Sequence, residues 1–319
     1  MQNNHPILYI VVPCYNEEEV LPESSKQFYT VLDDMIRKNV VSFDSKILFV
    51  NDGSKDKTWS IIEELASQNG HFAGICLAKN RGHQNALLAG LMACKDIADI
   101  TISIDADLQD DINAIYEMVE KYKKENCEIV FGVRSKRKTD TFFKRFTAQS
   151  FYKLMKGMGV DIIFDHADYR LMSQKALNSL NEYTEVNVFL RGLVRDLGFK
   201  NDIVYYERNE RFAGESKYPL KKMIDFAFQG ISSFSISPIR LISSAGILMS
   251  LFSVAATIYA LVSRLTNNAL PGWTSLLISI WFIGGIQLLS IGLIGEYIGK
   301  IYLETKRRPK YIIDKKANI

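Results

Sequence analysis

Asp105 and Asp107 stand one residue apart directly after the apolar run at residues 100–104, and Gln109 follows two residues on. Carboxylates and a side-chain amide are hard oxygen donors, a set that suits Mg2+ or Mn2+. One carboxylate is expected to bind the metal while the other holds a neighbouring hydroxyl. Acidic residues after a strand also serve as helix N-caps. Two further polar clusters sit in the same position relative to apolar runs. Tyr15-Asn16-Glu17 follows residues 7–12, and Asn51-Asp52-Gly53-Ser54 follows residues 46–50. The second cluster reads equally as a turn and helix cap. His83 and His166 lack a third ligand at metal spacing, so zinc is not expected and a polar or structural role is.

The elements that must position these clusters alternate. Residues 7–12 form a continuous apolar run, as a strand buried on both faces should, and 46–50, 72–77, 100–104 and 128–133 read as further strands. Residues 18–38, 57–68, 83–94 and 112–125 read as helices between them. Strands joined by helical crossovers imply an α/β fold with a mostly parallel sheet. Ligands in such sheets sit beyond the carboxyl ends of the strands. The three clusters all lie there, so separate strands deliver carboxylates to one rim.

The chain has 319 residues and a net charge of +3, from 39 Lys+Arg against 36 Asp+Glu. That balance excludes a nucleic-acid-coating protein and an acidic disordered tail. Cys14, Cys76, Cys94 and Cys127 form no paired motif and read as small buried hydrophobes in a reducing compartment. The N-terminus lacks a basic region before its apolar stretch and reads as a first strand, not a signal peptide. Residues 241–262 and 273–294 are uncharged runs of about 22 residues, each long enough to span a bilayer. A pair of buried core helices is the alternative. The short link between them predicts a hairpin. Residues 219–237 mix apolar and charged side chains, which suits an amphipathic juxtamembrane helix or one packed on the soluble domain. After Gly299 come seven basic residues against Glu304 and Asp314. This bias predicts both termini and the soluble domain in the cytoplasm, with 300–319 as a basic tail. The expected organisation is therefore a soluble domain at 1–218, a juxtamembrane segment, a membrane unit at 238–299 and the tail.

Val12-Pro13-Cys14-Tyr15-Asn16-Glu17, Asn51-Asp52-Gly53-Ser54, Asn80-Arg81-Gly82 and Asp105-Ala106-Asp107-Leu108-Gln109, in that order, resemble family 2 glycosyltransferases with the GT-A fold. The run from Arg211 through Gly214 and Ser216-Lys217-Tyr218, with the C-terminal hairpin, narrows the resemblance. It is similar to the polyprenyl-phosphate glycosyltransferases, the branch that includes bactoprenol glucosyltransferases and is related to dolichol-phosphate mannose synthase. The resemblance covers nearly the whole chain.

It implies roles for matching residues. Pro13, Tyr15, Glu17 and Asp52 would hold the base and ribose of a nucleotide sugar, with Arg81 near the nucleotide. Asp107 and Gln109 would bind the metal, and Asp105 would lie near ribose and sugar. Arg211, Ser216 and Lys217 would clamp the diphosphate. Arg134 and Arg145 would contact the lipid phosphate. The Asp168-Tyr169-Arg170-Leu171 stretch matches the one carrying a catalytic Asp, usually taken as a base, with Asp165 as a near competitor. A phosphate monoester has a second pKa of about 6 and is already a nucleophile at neutral pH. Asp168 is therefore expected to orient the acceptor or a cation as readily as to take a proton, and a plain ion pair with Arg170 is the bland alternative.

The implied activity is inverting transfer of a hexose, glucose by general similarity, from a UDP-sugar to undecaprenyl phosphate at the cytoplasmic face of a bacterial inner membrane. The implied partners are the donor, the lipid acceptor, the bilayer, a further copy of the chain in a homo-oligomer, a flippase and a downstream glycosyltransferase. UDP-GlcNAc, UDP-galactose, a UDP-aminosugar or GDP-mannose remain open as donors. A processive polysaccharide synthase would carry a Gln-x-x-Arg-Trp motif, which is absent. A non-catalytic nucleotide-sugar sensor or scaffold would not need Asp105, Asp107, Gln109, Arg211 and Lys217 intact.

Overall fold

The computed structural model describes residues 5–135, 166–186, 188–207, 237–265 and 272–319. Arg145, Arg211, Ser216, Lys217, Asp165 and the segment 219–236 lie outside the described residues.

Strands β1 (Leu8–Cys14), β2 (Lys46–Asn51), β3 (Phe72–Leu77) and β4 (Ile100–Ser103) are the continuous apolar runs. Every residue of β1, β3 and β4 is buried, as strands covered on both faces require. Helices α1 (Leu21–Arg37), α2 (Thr58–Gln68), α3 (His83–Cys94) and α4 (Ala114–Glu125) connect them and lead to β5 (Ile129–Arg134). Leu21, Phe28, Leu32 and Met35 recur at helical spacing on α1 and bury one stripe. They meet Leu8, Ile10 and Val12 of β1 and Ile115, Met118 and Val119 of α4 in one core. Helix α3 packs on the opposite face, where Gly90 sits against Val11 and Val50.

The rest of the sheet comes from β6 (His166–Ser173), β7 (Asn201–Tyr206) and β8 (Ile313–Ala317), with α5 (Gln174–Asn181) and α6 (Leu190–Asp196) between β6 and β7. The strand order is β7-β5-β6-β4-β1-β2-β3-β8. β6 is antiparallel to both β4 and β5, and β8 is antiparallel to β3; the other pairs are parallel. The mostly parallel α/β sheet expected of a GT-A fold is therefore present. Because β6 alone runs backwards among its neighbours, its first residues reach the rim formed by the carboxyl ends of β1, β2 and β4. Pro13 sits within β1 without disrupting the ladder, because pairing with β4 stops at Val11 and Ser103. All four cysteines are free and buried, in agreement with their reading as small hydrophobes.

The second unit contains helices α7 (Ser237–Leu265) and α8 (Trp273–Thr305). Among the described residues, the stretch Phe282–Thr305 is long and apolar enough to cross a membrane. Large apolar side chains such as Leu251, Phe252, Ile280, Phe282, Leu288 and Ile291 are exposed on these helices. Two features differ from the sequence reading. Helix α8 does not stop at residue 294 but runs on through Glu296, Lys300 and Glu304 to Thr305, since no breaker intervenes before Pro309. Within the segment read as a basic tail, Ile313–Ala317 forms β8 and completes the sheet. Lys315 and Lys316 on this edge strand discourage pairing with another sheet.

Candidate active site

The loops after β1 and β2 are tied to one another at the rim. The Asn16 N–H donates to Ser54 Oγ (2.9 Å), the Glu17 N–H to Thr58 Oγ1 (2.9 Å) and the Lys55 N–H to Asn16 Oδ1 (3.0 Å). Glu17 lines a hollow of about 480 Å3 with Asn16, Glu18, Glu19, Lys55 and Asp56. This lining offers acceptors for hydroxyl and N–H donors. The Tyr15 ring is exposed beside it and presents a face for stacking.

Asp52 is buried at the end of β2. Its two oxygens accept the N–H groups of Arg81 (2.7 Å) and Gly82 (2.9 Å). Burial pushes its pKa up against these bonds, which favour the ionised form. Asp52 thus fixes the Asn80-Arg81-Gly82 loop as well as facing the rim. Gly53 allows this approach: its φ is +64°, and a Cβ there would lie 2.6 Å from Asn80 N. Arg81 Nε is buried and has no hydrogen-bond partner among the described residues. An orphaned guanidinium N–H beside the rim fits an anionic partner.

After β4 the chain turns sharply. Leu108 takes a left-handed conformation (φ 57°), and the Gln109 N–H donates to Asp107 Oδ1 at 3.2 Å. The turn bonds the Asp107 carboxylate to the Gln109 backbone and sets the two residues at the end of β4. Two oxygen-donor side chains held by a fixed turn fit a hard divalent cation. Among the described residues, a separate group of ligand-type side chains, Glu125, Cys127 and Asp202, lies at the amino ends of β5 and β7, away from the rim. There Lys121 pairs with Asp202 at 2.6 Å.

Asp168 comes to the rim through β6. Arg170 pairs in register with Ser103, the last residue of β4, and Ser103 Oγ donates to the Asp168 carbonyl. Asp168 and Arg170 are two residues apart on a strand and so share a face. Arg170 Nη2 donates to Asp168 Oδ1 at 3.0 Å, and Arg191 Nε and Nη2 donate to Asp168 Oδ1 and Oδ2 at 3.2 Å each. His83 Nε2 lies 3.5 Å from Asp168 Oδ2 and 3.5 Å from Asp105 Oδ1. Burial opposes ionisation of Asp168, yet Arg191, His83 and Arg170 outweigh it and hold its pKa well below the usual range. Burial works against the charge on His83, but the bond to Asp168 and the fields of Asp105 and Asp168 raise its pKa to about 9. Burial raises Asp105, with Asp168, Asp110 and Asp107 adding to the rise and His83 opposing it. A carboxylate bonded to two guanidiniums and held far below neutrality is a poor proton acceptor. The ion pair with Arg170 is real, and Asp168 has the geometry of an anchor.

Arg134 ends β5 and is also committed. Its Nε and Nη2 donate to Asp110 Oδ1 (3.1 and 3.0 Å), and Tyr206 Oη donates to the same oxygen at 2.7 Å. Burial would lower the Arg134 pKa, and the Asp110 charge and Tyr206 raise it instead. The rim therefore assembles Tyr15, Glu17, Asp52, Arg81, Asp105, Asp107, Gln109 and Asp168, while Arg134 stands in its own network with Asp110. Spacing gave no role to Arg191. It lies 23 residues from Asp168, and no local motif marks it.

A family model described as glycosyl transferase family 2 matches residues 9–180. The chain belongs to glycosyl transferase family 2. A second model, the GtrB C-terminal hairpin, matches residues 237–301. The enzyme is 55% identical over 314 residues to the uncharacterized glycosyltransferase YkoT of Bacillus subtilis (strain 168), covering 98% of this chain and 93% of the relative. It is 39% identical over 306 residues to the prophage bactoprenol glucosyl transferase homolog of Escherichia coli (strain K12), covering 95% and 97%. With the bactoprenol glucosyl transferase of Shigella phage SfII the identity is 39% over 308 residues, covering 96% and 97%. The protein is accordingly a glycosyltransferase, similar over nearly its whole length to proteins named bactoprenol glucosyl transferases.

Proposed function

We propose that this glycosyltransferase moves a glucosyl unit from UDP-glucose to undecaprenyl phosphate at the cytoplasmic face of the bacterial inner membrane, with inversion. The observation that carries this reading is the rim. Acceptor side chains (Glu17, Asp52), an exposed ring (Tyr15) and oxygen donors (Asp107, Gln109) follow β1, β2 and β4, and Arg81, whose buried Nε has no hydrogen-bond partner among the described residues, follows β3; these would serve base and ribose, stacking, metal and phosphate. The glucosyl donor and polyprenyl acceptor follow the names of relatives aligned over nearly the whole chain.

Asp107 and Gln109 would hold Mg2+ or Mn2+, which when bound offsets the charge developing on the leaving nucleoside diphosphate. Arg211, Ser216 and Lys217 would add cations there, and Arg145, with Arg134, would meet the lipid phosphate as in related enzymes. A phosphate oxygen of the acceptor attacks the anomeric carbon as the bond to the UDP oxygen breaks. The dianionic acceptor needs no base, which agrees with Asp168 being an anchor. Positioning and fixed charges supply the rate.

The membrane arrangement rests on chain topology. β8 belongs to the sheet formed by β1–β7, so residues 313–317 lie on the same side of a bilayer as the rim. The intervening chain then crosses an even number of times. Helices α7 and α8, of 29 and 33 residues, are each longer than a crossing needs. A two-helix transmembrane hairpin satisfies both facts. The basic residues flanking it favour a cytoplasmic rim. A lipid-linked sugar made on that face requires a flippase and a second transferase to reach an outer-surface glycan.

The test is a transfer assay with purified protein, undecaprenyl phosphate and a panel of UDP- and GDP-sugars with Mg2+ or Mn2+. Lipid-linked glucose from UDP-glucose, lost by about 100-fold or more in Asp107→Asn, is the expected result. Metal-dependent UDP binding with no product from any donor would point to a binding protein and overturn the reading.

A further inference from the structure

Two cations at the rim have no assigned role: His83, the first residue of α3, and Arg191, on α6. Both contact the same carboxylate oxygen, Asp168 Oδ2, at 3.5 and 3.2 Å. They differ from their neighbour Arg170 in exposure. The Arg170 side chain is fully buried, whereas those of His83 and Arg191 are 43% and 29% exposed. Arg170 therefore neutralises Asp168 from within, and His83 and Arg191 present the remaining positive charge outward.

Their placement is fixed from several directions. The Leu190 N–H donates to Gln84 Oε1 at 3.0 Å, which ties the start of α6 to the first turn of α3. Arg170 Nη1 donates to the Leu190 carbonyl at 3.4 Å. Gln84 and Arg170 thus hold Arg191 beside His83, and Asp168 locks both heads. Such a pre-set pair meets an anion at little ordering cost.

The arrangement of charge names the anion. Arg170, Arg191 and His83 surround Asp168, and His83 also reaches Asp105, so cationic heads stand against both carboxylates. Asp107 would belong with a metal at the leaving diphosphate. A nucleophilic phosphate approaching the sugar beside Asp105 and Asp168 would be repelled by these carboxylates unless cations offset them, and His83 and Arg191 are the cations in contact with them that reach the surface. We infer that His83 and Arg191 form the receptor for the acceptor's phosphate monoester, with Asp168, Arg170 and Gln84 as positioning residues that aim them. This rests on the proposed transfer to a polyprenyl phosphate. It adds a phosphate site to the one that Arg134 and Arg145 would provide, and it places charge beside Asp105, where the chemistry occurs.

The test uses the full-length protein in detergent. His83→Gln, Arg191→Gln and Arg191→Lys are compared with wild type for acceptor KM, for UDP affinity with Mn2+, and for melting temperature. A hydrogen bond to a charged group corresponds to about 10- to 100-fold in affinity. Each Gln variant should raise the KM for undecaprenyl phosphate by about that factor with UDP affinity within about twofold of wild type, and Arg191→Lys should recover part of the loss. A KM unchanged in both Gln variants overturns the proposal. So does an equal fall in UDP affinity, which would assign the pair to the donor diphosphate. Calorimetric titration with farnesyl phosphate, against farnesol as control, reads the site without any transfer. If wild type transfers no sugar, the proposed function fails. The receptor still stands if farnesyl phosphate binds wild type and is weakened by about 10-fold or more in Arg191→Gln, and falls if it is not.

Discussion

Replacing Asp168 by Asn separates an anchor from a base. Asn keeps the size and one acceptor oxygen but removes the charge that Arg170, Arg191 and His83 share. Arg170 has a fully buried side chain, and its Nε already lacks a partner among the described residues. Deleting its counter-charge leaves an uncompensated buried cation, which costs about 3–5 kcal/mol. For a soluble unit of this size that corresponds to a melting temperature lower by ~6–20 °C. The pH dependence has a defined sign. Asp168 has a depressed folded pKa, so its stabilisation is fully present above the unfolded carboxylate value and is lost as pH falls through the folded one. The gap between wild type and variant should be widest at about pH 5 to 6, narrow as pH rises toward about 9 and the His83 charge that Asp168 holds is lost, and close on the acid side only in strong acid. Scanning calorimetry in detergent at several pH values measures this, beside kcat and acceptor KM. A base predicts another pattern: unchanged melting, unchanged KM and a large loss of kcat. Melting within about 2 °C of wild type at pH 7, with turnover lost and both substrates still bound, would refute the anchor.

Gly53→Ala forces a left-handed φ on a residue whose Cβ would meet Asn80 N at 2.6 Å. It should destabilise by about 1–3 kcal/mol and weaken UDP binding by displacing the loop that Asp52 holds; unchanged UDP affinity by calorimetry would contradict this. Arg134→Met leaves the buried Asp110 carboxylate without its cation, with the Tyr206 hydroxyl still donating to Oδ1. The expected loss is about 3 kcal/mol by thermal melting, relieved in Arg134→Met/Asp110→Asn, and melting equal to wild type would exclude it. Deleting residues 312–319 removes the β3–β8 ladder and the bonds from Asn318 Nδ2 to the Gly70 and Phe72 carbonyls. At roughly 1 kcal/mol per bond the sheet should melt several degrees lower and associate through the exposed β3 edge; a monodisperse variant with wild-type melting would count against β8 as a structural strand. Cysteines introduced at Asn268 and Ile319, against four buried native thiols, should label from the outer and inner faces respectively. Labelling of both from one face would exclude the hairpin.

Much of the soluble domain was legible in the chain because its signals are local. A buried parallel strand is a continuous apolar run, and β3 and α3 fall at residues 72–77 and 83–94 as read from pattern alone. The polar clusters at strand ends are also local, since turn and cap chemistry needs only a few neighbouring residues. Asp107, Leu108 and Gln109 carry their own turn. The two long apolar runs and their basic flanks were equally plain.

What only the tertiary structure decided depends on register between distant segments. β6 enters antiparallel between β4 and β5, and that reversal brings Asp168 to the rim and Arg170 beneath it. Arg191 reaches the same carboxylate from a helix with no motif, and Arg134 meets Tyr206 across 72 residues. The C-terminal segment has the composition of a solvated basic tail, yet it pairs with β3. Sequence pattern states which face of a strand is apolar, but an ion pair forms where the sheet order and register bring two charges to one place.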